Sequence, residues 1–131
     1  MNLLLDTCTF LWWIAEQPGV SAKAARALRD ADNPCWLSVA SLWEILVKCR
    51  AGRLDMDCGE QSVFDFLREQ CRVNQIDLLP LLPDDIRHIS RLPDIHRDPF
   101  DRLLICQSIE RGLTLVTPDR HIQGYPIRTL W

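Results

Sequence analysis

The chain consists of short apolar runs, each cut off by a polar or acidic residue, separated by segments whose apolar positions recur at helical spacing. Asn2 to Leu5 ends at Asp6, Cys35 to Leu37 ends at Ser38, Ile76 to Leu82 is interrupted by Pro80, and Thr114 to Thr117 runs into Pro118 and Asp119. Runs this short and this uniformly apolar suit strands covered on both faces. The intervening segments read as helices. Phe10 to Ile14 is apolar, Ser21 opens an Ala-rich helix ending near Asp32, and Ser38 caps one carrying Leu42, Ile45 and Leu46 until Gly52. Ser62 begins another that fades at Asn74, Asp84 to Arg91 is a short helical turn after Pro83, and Asp98 with Pro99 opens a last helix that stops at Gly112. Leu92 to Arg97 is a loop, and Ile127 to Leu130 adds a final strand. Strand and helix in alternation predict an α/β fold of three layers, a central, mainly parallel sheet flanked by helices, with right-handed crossovers.

At 131 residues the chain has the size of one domain, taken here as residues 1–131. Its 47% hydrophobic and 25% charged residues exclude a disordered chain. A net charge of -3 excludes a protein coated in Lys and Arg for bulk attraction to phosphate, and leaves room for a local basic patch. No apolar stretch approaches the roughly 20 residues of a membrane span, and no basic segment precedes one, so a cytoplasmic protein away from membranes is expected. The six cysteines include no CxxC pair and no zinc-knuckle spacing, and read as reduced, packed thiols.

In an open parallel sheet, ligands collect beyond the carboxyl ends of the strands. Asp6 and Asp119 each fall just past a predicted strand, while Glu44 and Asp101 lie in the first turns of helices that start at the same edge. Four acids are therefore expected to converge. Clustered carboxylates repel one another unless a proton or a cation intervenes, and hard oxygen donors with no His or Cys at ligand spacing favour Mg²⁺ or Mn²⁺. The chemistry this predicts is metal-assisted attack of water on a phosphodiester. Each acid also has a plainer reading. Asp98, Pro99 and Asp101 match the N-cap, first and third positions of a helix, and Asp6 and Asp119 suit turns. Glu44 sits amid Leu42, Trp43, Ile45 and Leu46, where an unpaired carboxylate is expensive.

His88, His96 and His121 lack any close ligand spacing and read as solvent or loop residues. The basic residues Lys48, Arg53, Arg97, Arg102 and Arg120 cluster in sequence around the proposed acids; they form either a solvated face or contacts to an RNA backbone. Trp12 and Trp13 in one helix suggest apolar character on more than one face, and with it a dimer surface.

LLLDTCTFLWW, SVASLWEILVKCRAGRL and HRDPFDRLLICQSIERGLTLVTPD resemble the acidic motifs of PIN-domain ribonucleases, in particular the VapC-type toxins of toxin-antitoxin pairs, over almost the whole chain. The resemblance implies a PIN-like fold with catalytic, metal-holding acids at Asp6, Glu44, Asp101 and Asp119, Asp98 as an auxiliary acid and Thr117 as an assisting hydroxyl. It further implies Mg²⁺- or Mn²⁺-dependent endoribonuclease activity on cellular RNA such as tRNA or rRNA, a homodimer, and neutralisation by a VapB-like antitoxin. Two alternatives stand beside it. One is a PIN-fold binding or regulatory module without catalysis. The other is an Asp-nucleophile phosphatase using Asp6, weakened because Cys8 stands where that motif has a second Asp. No Walker-type GxxxxGK and no GxGxxG occurs.

Overall fold

The computed structural model describes residues 1–131 and places Leu3–Leu5 (β1) at the centre of a five-stranded sheet, with all three residues fully buried. The strands are β1, Cys35–Ser38 (β2), Ile76–Leu79 (β3), Thr114–Val116 (β4) and Thr129–Leu130 (β5), in spatial order β3-β2-β1-β4-β5. Every strand pair is parallel, so the apolar runs belong to strands covered on both faces, as their composition demands. The chain lays down β1, β2 and β3 towards one side and then returns to place β4 and β5 on the other. Strand order therefore reverses between β1 and β4, where a crevice opens at the carboxyl edge.

The helices are Thr7–Ile14 (α1), Ala22–Arg29 (α2), Val39–Arg50 (α3), Val63–Val73 (α4), Pro99–Arg111 (α5) and Arg120–Gln123 (α6), with a 3₁₀ helix over Pro83–Arg91. Their starts follow local chemistry. Ser21, Ser38, Ser62 and Asp98 each accept a backbone N–H from the first turn of the helix they precede. Gly112 ends α5 at φ 64, a left-handed conformation that favours glycine. One core lies around Phe10, Leu37, Ile45 and Leu67 against one face of the sheet. The other gathers Leu4, Leu104, Ile105, Leu115 and Ile122.

The structure trims several expected elements. The strand from Ile76 stops at Leu79, because Pro80 has no N–H for the ladder. The second helix ends at Arg29 rather than near Asp32, and the last strand contracts to Thr129–Leu130. The four-residue α6 lies in what reads as a turn, and is too short to show a period. Trp12 and Trp13 are half-buried: Trp12 packs on Trp131 and closes over Gly19, and Arg29 lies over the Trp13 ring. No helix is long and apolar enough to cross a membrane.

Candidate active site

Parallel register pairs Leu5 with both Leu37 and Val116, so the next residues along, Asp6, Ser38 and Thr117, stand level at the ends of three neighbouring strands. Asp6 leaves β1 as the N-cap of α1. Its Oδ1 accepts the Thr9 N–H at 2.7 Å and its Oδ2 accepts the Thr117 hydroxyl at 2.5 Å, which fixes the carboxylate from two sides. Burial raises its pKa against these hydrogen bonds, and Asp119 adds a smaller push in the same direction. Thr117 is fully buried behind Asp6 and also accepts the Asp119 N–H at 3.1 Å. It thus links the acid after β1 to the acid after β4 while remaining outside the lining of the cleft.

Glu44, only 5% exposed, lies in the second turn of α3. Its Oε1 accepts the Thr7 hydroxyl at 2.5 Å, and its Oε2 receives Lys48 Nζ at 2.6 Å from one turn further along. The apolar residues beside it in sequence do not enclose it, since helical spacing sends Trp43 outwards to 64% exposure. Asp101 occupies the first turn of α5, where Asp98 caps the helix by accepting the Phe100 and Asp101 N–H groups at 2.9 and 3.3 Å. Burial, and then Asp98, Asp6, Glu44 and Asp119 in that order, push the Asp101 pKa from 3.8 to about 7. Asp119 follows β4, caps α6 through the His121 N–H at 2.8 Å and lines the same cleft as the other three acids, although no three of the four place their oxygens within 4.8 Å of one another.

The five acids line one open cleft of about 490 Å³, and Thr7, Cys8, Lys48 and Arg53 share its wall. Although Cys8 is exposed as a residue, partial desolvation at the cleft wall together with Asp6 and Asp101 raises its thiol to about 11, which keeps it protonated near neutrality. Burial and then the neighbouring carboxylates raise Asp101, no Lys or Arg is paired with it, and the single lysine in the wall is already held by Glu44. Asp6, Glu44, Asp101 and Asp119 offer hard oxygen donors of the kind that hold Mg²⁺ or Mn²⁺, and a divalent cation bound among them would bring positive charge to the cleft. Asp98 has its Oδ1 engaged in capping.

Among the basic residues singled out from sequence, Lys48 and Arg53 reach the cleft, whereas Arg97 and Arg120 are exposed outside its lining. Arg102 does not face the cleft at all. Its guanidinium donates to Pro93 O and to the Tyr125 hydroxyl, each at 3.0 Å, and ties the loop before α5 to the end of the chain. His121 is exposed and His96 lies in the loop before α5, as expected of solvent or loop residues, whereas His88 lies in the 3₁₀ helix; all three also meet acids. His88 binds Glu110 at 2.6 Å, and His96, Asp101 and Asp119 each place one donor atom within 4.8 Å of the others. Sequence spacing misses His96 and Thr7 because their partners are distant along the chain; the only hint is that His96 precedes Asp98 and Asp101 by a few residues.

Residues 3–127 match the PIN domain family. The chain is 29% identical over 127 residues to Ribonuclease VapC22 of Mycobacterium tuberculosis, covering 95% of this chain and 92% of that protein. Its fold is similar to that in the crystal structure of VapBC2 from Rickettsia felis bound to a promoter DNA fragment, with a TM-score of 0.70 at 14% identity over 98% of this chain and 97% of the other. It is also similar to DNA-bound VapBC from Salmonella typhimurium, with a TM-score of 0.63 at 19% identity, covering 98% and 96%.

Proposed function

The chain belongs to the PIN domain family, and from that premise we propose that it is a VapC-like endoribonuclease toxin that hydrolyses cellular RNA such as tRNA or rRNA with Mg²⁺ or Mn²⁺. The observation that carries this reading is the placement of Asp6, Glu44, Asp101 and Asp119 along one cleft, with Asp101 driven to about 7 by burial and by the carboxylates around it. A divalent cation bound there would lower the pKa of its water and polarise a phosphoryl oxygen. The chain's own groups set up the rest. Thr9 and Thr117 hold Asp6 in one orientation, and Thr7 does the same for Glu44. Lys48 and Arg53 in the wall supply contacts for the phosphate backbone of the substrate. With both Asp6 oxygens engaged and the Cys8 thiol protonated, an activated water suits this cleft better than a covalent protein intermediate.

The partners follow from the same surface. Beside the cleft, Leu11, Ile14, Leu54, Met56 and Phe66 line an apolar groove of about 520 Å³ that suits an amphipathic segment of a VapB-like antitoxin, placing a basic side chain within reach of the acids. Val39, Trp43 and Val47 recur every fourth residue on α3 and are all exposed, an apolar stripe suited to a second copy in a homodimer. The six free thiols fit a reducing cytoplasm.

The test is incubation of the antitoxin-free protein with total cellular RNA, with Mg²⁺, Mn²⁺ or chelator, beside the Asp101→Asn variant. The expected result is discrete fragments that need metal and vanish in the variant. Folded protein that cuts nothing under any metal would turn the reading towards a non-catalytic binding module.

A further inference from the structure

The loop before α5 contains a hydrogen-bond chain that the proposed hydrolysis has not used, and it ends on Asp101. Tyr125 is buried, with its hydroxyl set among three groups of the loop and of α5. That oxygen accepts Arg102 Nη1 at 3.0 Å and the His96 backbone N–H at 3.3 Å, while His96 Nδ1 lies 2.9 Å away. A phenol oxygen has two lone pairs and one proton. Two donors fill the lone pairs, so the proton goes outwards, and the nearer acceptor is Nδ1 rather than His96 O at 3.5 Å. Nδ1 is then the unprotonated nitrogen of the neutral ring, and Nε2 carries the hydrogen. The other tautomer would bring a third donor to an oxygen that can accept two.

Nε2 is out of contact with solvent and has no hydrogen-bond partner; the carboxylate nearest to it is Asp101, with Oδ2 at 3.4 Å. The ring plane is held by packing as well. Tyr125 lies 5.4 Å from it, centroid to centroid, and His121 stacks at 6.2 Å with the planes 15° apart. We propose that His96 is a positioning residue for the metal-holding acids: Tyr125 and Arg102 lock it as the Nε2–H tautomer, which leaves a buried, unpaired donor 3.4 Å from Asp101 Oδ2 to attract that carboxylate and restrain it at the wall of the cleft. This rests on the reading of Asp101 as a cation ligand and adds a support behind it, in the way that outer hydrogen bonds orient metal-binding side chains. The same counting argues against His96 as a ligand itself, since coordination through Nε2 would return the hydrogen to Nδ1. Arg102 and Tyr125 become parts of the support rather than groups that touch RNA.

Long-range proton–nitrogen NMR on the ¹⁵N-labelled, metal-free protein reads the tautomer directly. The Nε2–H pattern is expected for His96, and Tyr125→Phe, which keeps the buried ring, should give a mixture. An Nδ1–H pattern in the unaltered protein would overturn the proposal, whatever the variants do. Calorimetric titration with Mn²⁺ supplies the second readout: His96→Ala should weaken binding about tenfold, and His96→Gln, whose amide can donate from a similar reach, should recover most of it. In the RNA assay His96→Ala should lower kcat about tenfold with KM for RNA held within about twofold. Unaltered Mn²⁺ affinity in His96→Ala would sink the positioning role. A protein that binds Mn²⁺ with this dependence on His96 and cuts no RNA would keep the positioning role and refute the ribonuclease reading instead.

Discussion

At the C-terminal end of α5, Arg111 meets Asp85 with Nε 3.0 Å and Nη2 3.2 Å from the two carboxylate oxygens, and the Leu82 N–H and Gln107 amide add two more donors. At the N-terminal end of the same helix, Asp101 faces Asp98, Asp6, Glu44 and Asp119 with no Lys or Arg paired to it. Both carboxyls are withdrawn from water, and their pKa values move in opposite directions. Burial alone would raise Asp85, but Arg111, Leu82 and Gln107 outweigh it and hold it below the ordinary carboxylate range. Burial and four like charges leave Asp101 at about 7. The fold neutralises one buried acid thoroughly and leaves another among like charges, a contrast that the proposed reading explains by a cation bound beside the second. Asp85 serves the fold, joining the 3₁₀ helix to α5, and Asp101 serves the cleft.

The sharpest way to break this contrast is to neutralise each acid in turn. Asp101→Asn should cut RNA hydrolysis by about a thousandfold, the upper range for removing one charge-handling group from a site. Asp85→Ala should instead leave the cleft intact and destabilise the fold by about 3 kcal/mol, because Arg111 is left with an unpaired, partly buried charge; urea denaturation at constant m-value would measure it. In the metal-free protein near pH 8, Asp101→Asn should stabilise by about 1 to 2 kcal/mol, seen as a rise in Tm, since the repulsion among acids is relieved. Smallest of all, Asp98→Asn should move stability by less than about 0.5 kcal/mol and activity by less than about fivefold, as Asn caps a helix as well as Asp. An Asp98→Asn loss equal to that of Asp101→Asn would mean that Asp98 binds the cation as well as capping.

The two ends of α5 were not equally open to sequence reasoning. Asp6, Glu44, Asp101 and Asp119 could be placed together from spacing alone, because each follows a strand or opens a helix at the same sheet edge, and parallel register does the rest. Ser21, Ser38, Ser62 and Asp98 announced their helices through local capping chemistry. The supports behind the acids could not be read this way. Thr7 meets Glu44 from 37 residues away and Tyr125 meets His96 from 29, and no local period reports such pairs. Arg102 shows the reverse: closeness in sequence to Asp98 and Asp101 suggests a solvated face or a phosphate contact, yet a helix turns residue 102 away from residue 101, and its largely buried guanidinium ends on Tyr125. The Asp85–Arg111 pair was equally hidden, being 26 residues apart.

Folding stability as a function of pH, with and without Mn²⁺, for the unaltered protein and Asp101→Asn, tests the central claim most directly. With Asp101 at about 7 in the folded protein and 3.8 as its ordinary value, the folded state keeps a proton that the unfolded chain has released between those values. Stability contributed by that proton is complete below about pH 4, falls as the pH rises to about 7 and is not regained above it. Asp85 titrates with the opposite sign, losing its contribution only as the pH drops below the ordinary carboxylate value, so the two do not overlap. The account predicts a decline in stability from about pH 4 to 7 that Asp101→Asn reduces, the raised pKa of Asp6 accounting for what remains, and that Mn²⁺ offsets in the unaltered protein. Identical curves for both proteins, with no response to Mn²⁺, would contradict the claim that this cleft is an acid cluster awaiting a cation.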